Sequence, residues 1–281
     1  MRMAKIVVAR EAGACFGVER ALKMVREYAE SHTEEIHTLG PLIHNPIVVV
    51  ELEELGVGVS DTPKVAPDST LVLRTHGVTP EVERAAREAG AKVIDATCPF
   101  VLKAHRVAER LERDGYQVLV VGEAGHAEVE GTLGHAPSGT VVANASELDG
   151  LDLARKVGIV VQTTQKRENL RQIVAALVGR VDELRVIDTI CEATSGHQAA
   201  CRELAEKADV MIVVGGRNSA NTTNLADIAR SCCSRTYHIE QASEIMASWL
   251  DGAQLIGVTA GASTPASHIE AVCDRLGELA E

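Results

Sequence analysis

Two segments of this chain, Val93–Cys98 and Val186–Cys191, read VIDATC and VIDTIC. Each is an apolar strand that ends in Asp and then Cys, and the residues that follow are also alike. After Cys98, Val101, Ala104, Ala108 and Leu111 fall at helical spacing; after Cys191 the matching positions are His197, Ala200, Leu204 and Ala208. The strands Gln117–Val121 and Val210–Val214 come next, and they run into polar loops that read GEAGHAEVEG from Gly122 and GGRNSANTTN from Gly215. A third copy opens near the start of the chain. Ile6–Ala9 reads as a strand, a short loop reaches Cys15, and Val18, Ala21, Leu22, Val25 and Ala29 make a helix face. Ile36–Thr38 is its next strand and GPLIHN, from Gly40, its polar loop. The interval is nearly constant: 29 positions from Cys15 to His44, 28 from Cys98 to His126 and 28 from Cys191 to Ser219.

Each unit has a second half, a helical segment and then a strand ending in another polar loop. These strands and loops read LVLRTHG from Leu71, VGIVVQTTQ from Val157 and LIGVTAGAS from Leu255. Such an order repeated three times constrains the fold more than any composition. Alternating strands and helices predict an α/β protein of three similar lobes with mostly parallel sheets. The expected limits are residues 15–97, 98–190, and 191–281 completed by 1–14. Gly58–Ser69, with Pro63 and Pro67, reads as a loop inside the first lobe, and Ile269–Glu281 as a closing helix. Ligands of such sheets sit beyond the carboxyl ends of the strands, where the three cysteines and six polar loops fall. Packing about a pseudo-threefold axis would bring these groups to one central site.

Charge and apolar content narrow the class. A net charge of −12 opposes a general nucleic-acid binder, which needs a basic field. Two Phe, three Tyr and one Trp leave little for base stacking. No segment approaches the ~18–20 apolar residues of a membrane span, and the start of the chain lacks a signal-peptide core. A cytoplasmic protein is expected, its seven cysteines reduced or metal-bound.

Cys15, Cys98 and Cys191 lie 83 and 93 positions apart, unlike the close pairs of a zinc ribbon or finger. Each stands at the start of a helix, where the dipole favours a thiolate. Three thiolates facing one centre suit a soft metal or an iron–sulfur cluster. Cys201, Cys232, Cys233 and Cys273 have no counterparts in register and read as small apolar residues. The polar loops carry His44, His76, His126, Glu128, Thr163, Ser219, Asn221 and Ser263. That mixture suits a small anion held by neutral donors, imidazoles and backbone N–H groups. Neither a G-x-x-x-x-G-K loop nor a strand-borne G-x-G-x-x-G is present. Glu128, two positions after His126, is a candidate proton donor, because burial would raise its pKa.

Taken in order, Cys15-Phe-Gly-Val-Glu-Arg-Ala, Gly40-Pro-Leu-Ile-His-Asn, Arg74-Thr-His-Gly, Asp95-Ala-Thr-Cys-Pro, Gly125-His-Ala-Glu-Val-Glu-Gly, Gln162-Thr-Thr-Gln, Thr189-Ile-Cys and Thr259-Ala-Gly-Ala-Ser resemble the 4-hydroxy-3-methylbut-2-enyl diphosphate reductases of the non-mevalonate isoprenoid pathway. The resemblance covers essentially the whole chain. It implies a central 4Fe-4S cluster on Cys15, Cys98 and Cys191, with the allylic hydroxyl of the substrate on the open iron. The diphosphate would be held by His44, His76, His126, Ser219, Asn221 and Ser263, while Thr163 and Glu128 form the proton path. The products would be isopentenyl and dimethylallyl diphosphate, with electrons arriving singly from a ferredoxin or flavodoxin. Three positions depart from the family's habit. Ala220 replaces a second serine beside Ser219, and Asn224 and His197 stand where basic residues are common. Two other readings fit the same residues: a cluster reductase of this fold acting on another allylic substrate, and a non-catalytic binder of a small phosphorylated ligand.

Overall fold

The structure, a computed structural model, describes residues 4–280. Its strands form three separate four-stranded parallel sheets. The first holds β2 (Ile36–Leu39), β3 (Val57–Ser60), β4 (Thr70–Leu73) and β5 (Lys92–Asp95), in the order β3-β2-β4-β5. The second holds β6 (Gln117–Val121), β7 (Thr140–Val142), β8 (Lys156–Val161) and β9 (Glu183–Ile187), in the order β7-β6-β8-β9. The third holds β10 (Val210–Val214), β11 (Thr236–Ile239) and β12 (Leu255–Ala260), and is closed by β1 (Lys5–Val8) in the order β11-β10-β12-β1. The order of strands is therefore the same in all three sheets, and the repeat extends from sequence to topology.

The strands follow from their sequences. β10 reads VMIVV and is wholly buried, as a parallel strand covered on both faces should be. Its alternate side chains divide between two cores. Met211 and Val213 join the core under α7 (Glu192–Ala205) and α8 (Ala220–Cys232), while Val210, Ile212 and Val214 join that under α9 (Ala266–Ala280). In the second lobe Leu119, Ile159 and Val161 pack with Leu170, Ile173 and Leu177 of α6 (Arg167–Leu177). Val118, Val120 and Val160 pack on the other side with Ala104, Val107, Ala108 and Leu111 of α4 (Pro99–Arg113). The helix stripe read after Cys98 is thus buried as expected, and it gains His105 and Val107.

Two differences from the sequence reading share one cause. The segment read as a loop, Gly58–Ser69, begins inside a strand: β3 pairs with β2 from Val57 to Ser60. The equivalent edge strands β7 and β11 escaped the apolar pattern as well. These three are short, lie at sheet edges and are only partly buried, so they need no long apolar run. The closing helix starts earlier than expected, at Ala266, and Glu281 lies outside the described residues.

The described residues gather into two compact units. One comprises the chain up to Val18, His44–Pro46 and everything from Glu192, and contains the third sheet. The other comprises Glu19–Ile43 and Ile47–Cys191, and contains the first two sheets. Among the described residues no helix is long and apolar enough to cross a membrane.

Candidate active site

Each of the three in-register cysteines directly follows a strand and its short loop and directly precedes a helix: α1 (Phe16–Ser31) after Cys15, α4 after Cys98 and α7 after Cys191. Their backbones are anchored alike. The N–H of Cys15 donates to Ala262 O at 3.1 Å, that of Cys98 to Thr75 O at 3.0 Å and that of Cys191 to Thr163 O at 3.1 Å. The acceptor in each lobe lies two residues past the end of the neighbouring strand, β12, β4 or β8. All seven cysteines are outside disulfides. Cys15, Cys98, Cys191, Cys232 and Cys273 are partly exposed, whereas Cys201 and Cys233 are buried among apolar side chains. Among the described residues no three His, Cys, Asp or Glu side chains stand close enough together to hold a metal ion.

The second unit brings Glu128 and Thr163 together. Glu128 lies in the first turn of α5 (Ala127–Gly134) and is 2% exposed, so it is not a solvent-facing loop acid. The Thr163 N–H donates to Glu128 Oε1 at 2.6 Å, and the Thr163 hydroxyl donates to Oε2 at 2.8 Å. Burial pushes the carboxyl up to about 7, against the lowering effect of these two hydrogen bonds. His126 caps α5, and its Nδ1 accepts the Glu128 N–H at 3.1 Å, which leaves the proton of a neutral ring on Nε2. The rings of His76 and His126 meet edge to face, 5.7 Å apart. Thr163 is itself held by its strand end: Gln162 Oε1 accepts the Glu123 N–H, and Gln165 N–H returns to Gln162 O.

The first unit holds Ser219, Asn221, Ser263, His44 and Cys15. Ser219 is the N-cap of α8, and its oxygen accepts the Thr222 N–H at 3.3 Å, leaving its hydroxyl proton available. Asn221 is 3% exposed, and neither its Oδ1 nor its Nδ2 has a partner among the described residues. An amide buried in this way costs stability unless a ligand completes it. The Ser263 hydroxyl donates to His44 O at 3.2 Å, and Asn45 Nδ2 donates to Ser263 O at 2.9 Å.

Sequence reasoning passed over Asn45, although it closes the quoted GPLIHN motif. It also passed over His105, which looks like an ordinary member of a helix stripe. The His105 ring stacks on His135 at 4.3 Å and lies against Gly77, directly behind His76. Burial, and then the neighbouring His135, pushes His105 down to about 3. Of the three departures, Ala220 and Asn224 are buried in α8. His197 is 6% exposed and burial lowers its pKa, so it does not replace the missing positive charge.

Parallel lobes that carry a buried acid–threonine pair, capped helix starts and reduced cysteines at their strand ends define an α/β enzyme with its chemistry on loops. The chain belongs to the LytB protein family, whose profile matches residues 6–277. It is 43% identical to the 4-hydroxy-3-methylbut-2-enyl diphosphate reductase of Aquifex aeolicus, over 99% of this chain and 98% of that protein. It is 47% identical to the enzyme of the same name from Geobacter sulfurreducens, over 98% of both. A solved structure of (E)-4-hydroxy-3-methyl-but-2-enyl diphosphate reductase, described as the terminal enzyme of the non-mevalonate pathway, matches with a TM-score of 0.73 at 43% identity, covering 98% of this chain and 100% of that one. The E-1-hydroxy-2-methyl-but-2-enyl-4-diphosphate reductase of Plasmodium falciparum matches with a TM-score of 0.90 at 27% identity, covering 98% of this chain and 88% of that one.

Proposed function

We propose that the protein removes the allylic hydroxyl of 4-hydroxy-3-methylbut-2-enyl diphosphate as water. The step consumes two electrons and two protons and yields isopentenyl and dimethylallyl diphosphate. The observation that carries this reading is the buried Glu128–Thr163 pair. Hydroxide is a poor leaving group and needs a proton at the moment the C–O bond breaks. A carboxyl near 7 holds that proton at working pH and gives it up readily. The Thr163 N–H fixes Oε1, and the Thr163 hydroxyl lies 2.8 Å from Oε2, so a proton carried on Oε2 passes to that hydroxyl once it turns from donor to acceptor and releases its own. His126 holds the start of α5, and with it Glu128, in place.

Cys15, Cys98 and Cys191 would hold a 4Fe-4S cluster. The donor set fits: three reduced thiols, each at a helix start and each on the same backbone anchor. When bound, the cluster would supply the electrons and a Lewis acid for the hydroxyl. His44, His76, His126, Ser219, Asn221 and Ser263 would bind the diphosphate, and the lone amide of Asn221 supports an anion at its helix start. Electrons would come singly from a ferredoxin or flavodoxin in the cytoplasm. The three lobes would have the limits 15–97, 98–190, and 191–281 with 1–14.

Anaerobic turnover of the hydroxylated diphosphate with a reduced viologen dye tests the reading. Consumption of two dye equivalents per substrate, with both isomeric products, is expected. Binding of substrate to a fully loaded protein with no dye oxidation would refute it.

A further inference from the structure

The motif Arg74-Thr-His-Gly contains a residue that the proposed chemistry leaves unused. Arg74 directly follows β4, at the carboxyl end of the first sheet, two positions before His76. Its root is fixed. The Thr75 N–H and hydroxyl both donate to Leu42 O, at 3.2 and 2.8 Å, and the Gly77 N–H donates to Arg74 O at 3.0 Å. The guanidinium lies against Gly40 of the loop after β2, where a Cβ would stand 2.4 Å from Nη1. Gly40 also has φ +65°, so two constraints at one residue clear the space that the arginine fills.

What this arginine lacks is an acceptor. Its Nε is buried without a partner, and among the described residues no carboxylate pairs with it. Burial alone lowers its pKa, with no neighbouring charge opposing. Some exposed arginines, such as Arg217 between Glu240 and Glu244, are paired instead. A half-buried guanidinium with no anion beside it is costly, and proteins keep such an arrangement where a ligand supplies the anion. The ligand end of a parallel sheet, beside His76, is where that anion would arrive.

We propose that Arg74 is an anion-binding residue of this site, taking phosphoryl oxygens of the ligand through its planar fork. The inference rests on the reading of the site as one for an allylic diphosphate. It adds a charge that no working pH removes to a set of imidazoles, hydroxyls and an amide. In a chain of net charge −12, that local charge offsets the repulsion a polyanion would otherwise meet.

Calorimetric titration of the anaerobically purified holoprotein with inorganic diphosphate tests this. Arg74→Gln should weaken binding by about tenfold to a hundredfold, the range of a hydrogen bond to a charged group. Arg74→Lys should recover part of the loss, because lysine keeps the charge without the fork. The ligand-free Arg74→Gln protein should melt no lower than wild type, since a half-buried, unpaired charge has been removed. If folded Arg74→Gln binds diphosphate within twofold of wild type, Arg74 is no ligand residue and the reading of the remaining site stands. Full affinity in Arg74→Lys together with a large loss of melting temperature in Arg74→Gln would make the residue structural and overturn the proposal. Failure of wild type itself to bind diphosphate removes both this proposal and the substrate reading.

Discussion

Replacing Glu128 by Gln should make the protein more stable and nearly inactive, and the gain in stability should depend on pH. The carboxyl is raised from an ordinary 4.5 to about 7 because it is buried. A group with a raised folded value binds its proton more tightly in the folded state. Below about 4.5 both states hold the proton and the group costs nothing. Between about 4.5 and 7 only the unfolded state releases it, so folding loses stability as pH rises, until the folded carboxyl also ionises. The whole loss corresponds to roughly 3 kcal/mol, at 1.36 kcal/mol for each tenfold change in proton affinity. Glutamine keeps an oxygen for the Thr163 N–H and turns its amide N–H toward the Thr163 oxygen, with no proton to lose. At pH 8 the variant should therefore be stabilised by up to roughly 3 kcal/mol, a rise of several degrees in melting temperature, and at pH 4 the advantage should vanish. Turnover with reduced viologen should fall ~10²–10⁴-fold, the usual contribution of a general acid. Wild-type turnover should itself decline as pH rises through about 7 and the acid form disappears. Melting curves of both proteins at pH 4 and 8, with parallel assays, decide the matter. A variant that gains nothing at pH 8 would refute the burial argument, and one that turns over within a few-fold of wild type would place the acid elsewhere.

The remaining predictions concern the cysteines, Asn221 and Gly77. Serine at Cys15, Cys98 or Cys191 should remove bound iron or leave little of it, while serine at Cys201, Cys232, Cys233 or Cys273 should leave iron content near wild type. Iron and sulfide analysis of the seven variants checks this, and a full cluster in any of the first three would sink the ligand assignment. Asn221→Leu removes a buried amide that has no partner, so the ligand-free protein should be as stable or more stable, while diphosphate binding falls about tenfold or more. Calorimetry and melting on the same sample measure both, and undiminished binding would show that the amide serves something other than the anion. Gly77→Ala places a Cβ 2.4 Å from His105 Cε1 at φ +71°, so strain and overpacking together should cost roughly 2–4 kcal/mol. Chemical denaturation tests it, and unchanged stability would show that the His76 loop does not need its packing on His105.

The alternation of apolar strands with helix stripes is a local property, written in the order of side chains. VIDATC, VIDTIC and the matching helix faces therefore made the three-lobed parallel fold legible before any coordinates, and set Cys15, Cys98 and Cys191 apart by register. Buried central strands such as VMIVV announce themselves because both faces must be apolar. Edge strands do not, and the Gly58–Ser60 part of β3 therefore reads as loop in the sequence. The motifs also singled out Glu128, Thr163, His126 and Asn221 beyond strand ends, although Glu128 and Asn221, read as loop residues, lie in the first turns of α5 and α8. Tertiary structure alone decided their chemistry. A letter does not reveal whether a glutamate sits in water or is 2% exposed with both oxygens on one threonine 35 positions away. Nor does it reveal that His105 is pressed against Gly77, next to His76, or that Arg74 is half-buried with its Nε unpartnered. Burial, pKa and unmet hydrogen bonds depend on which distant segments come together, and that is fixed only when the lobes are packed.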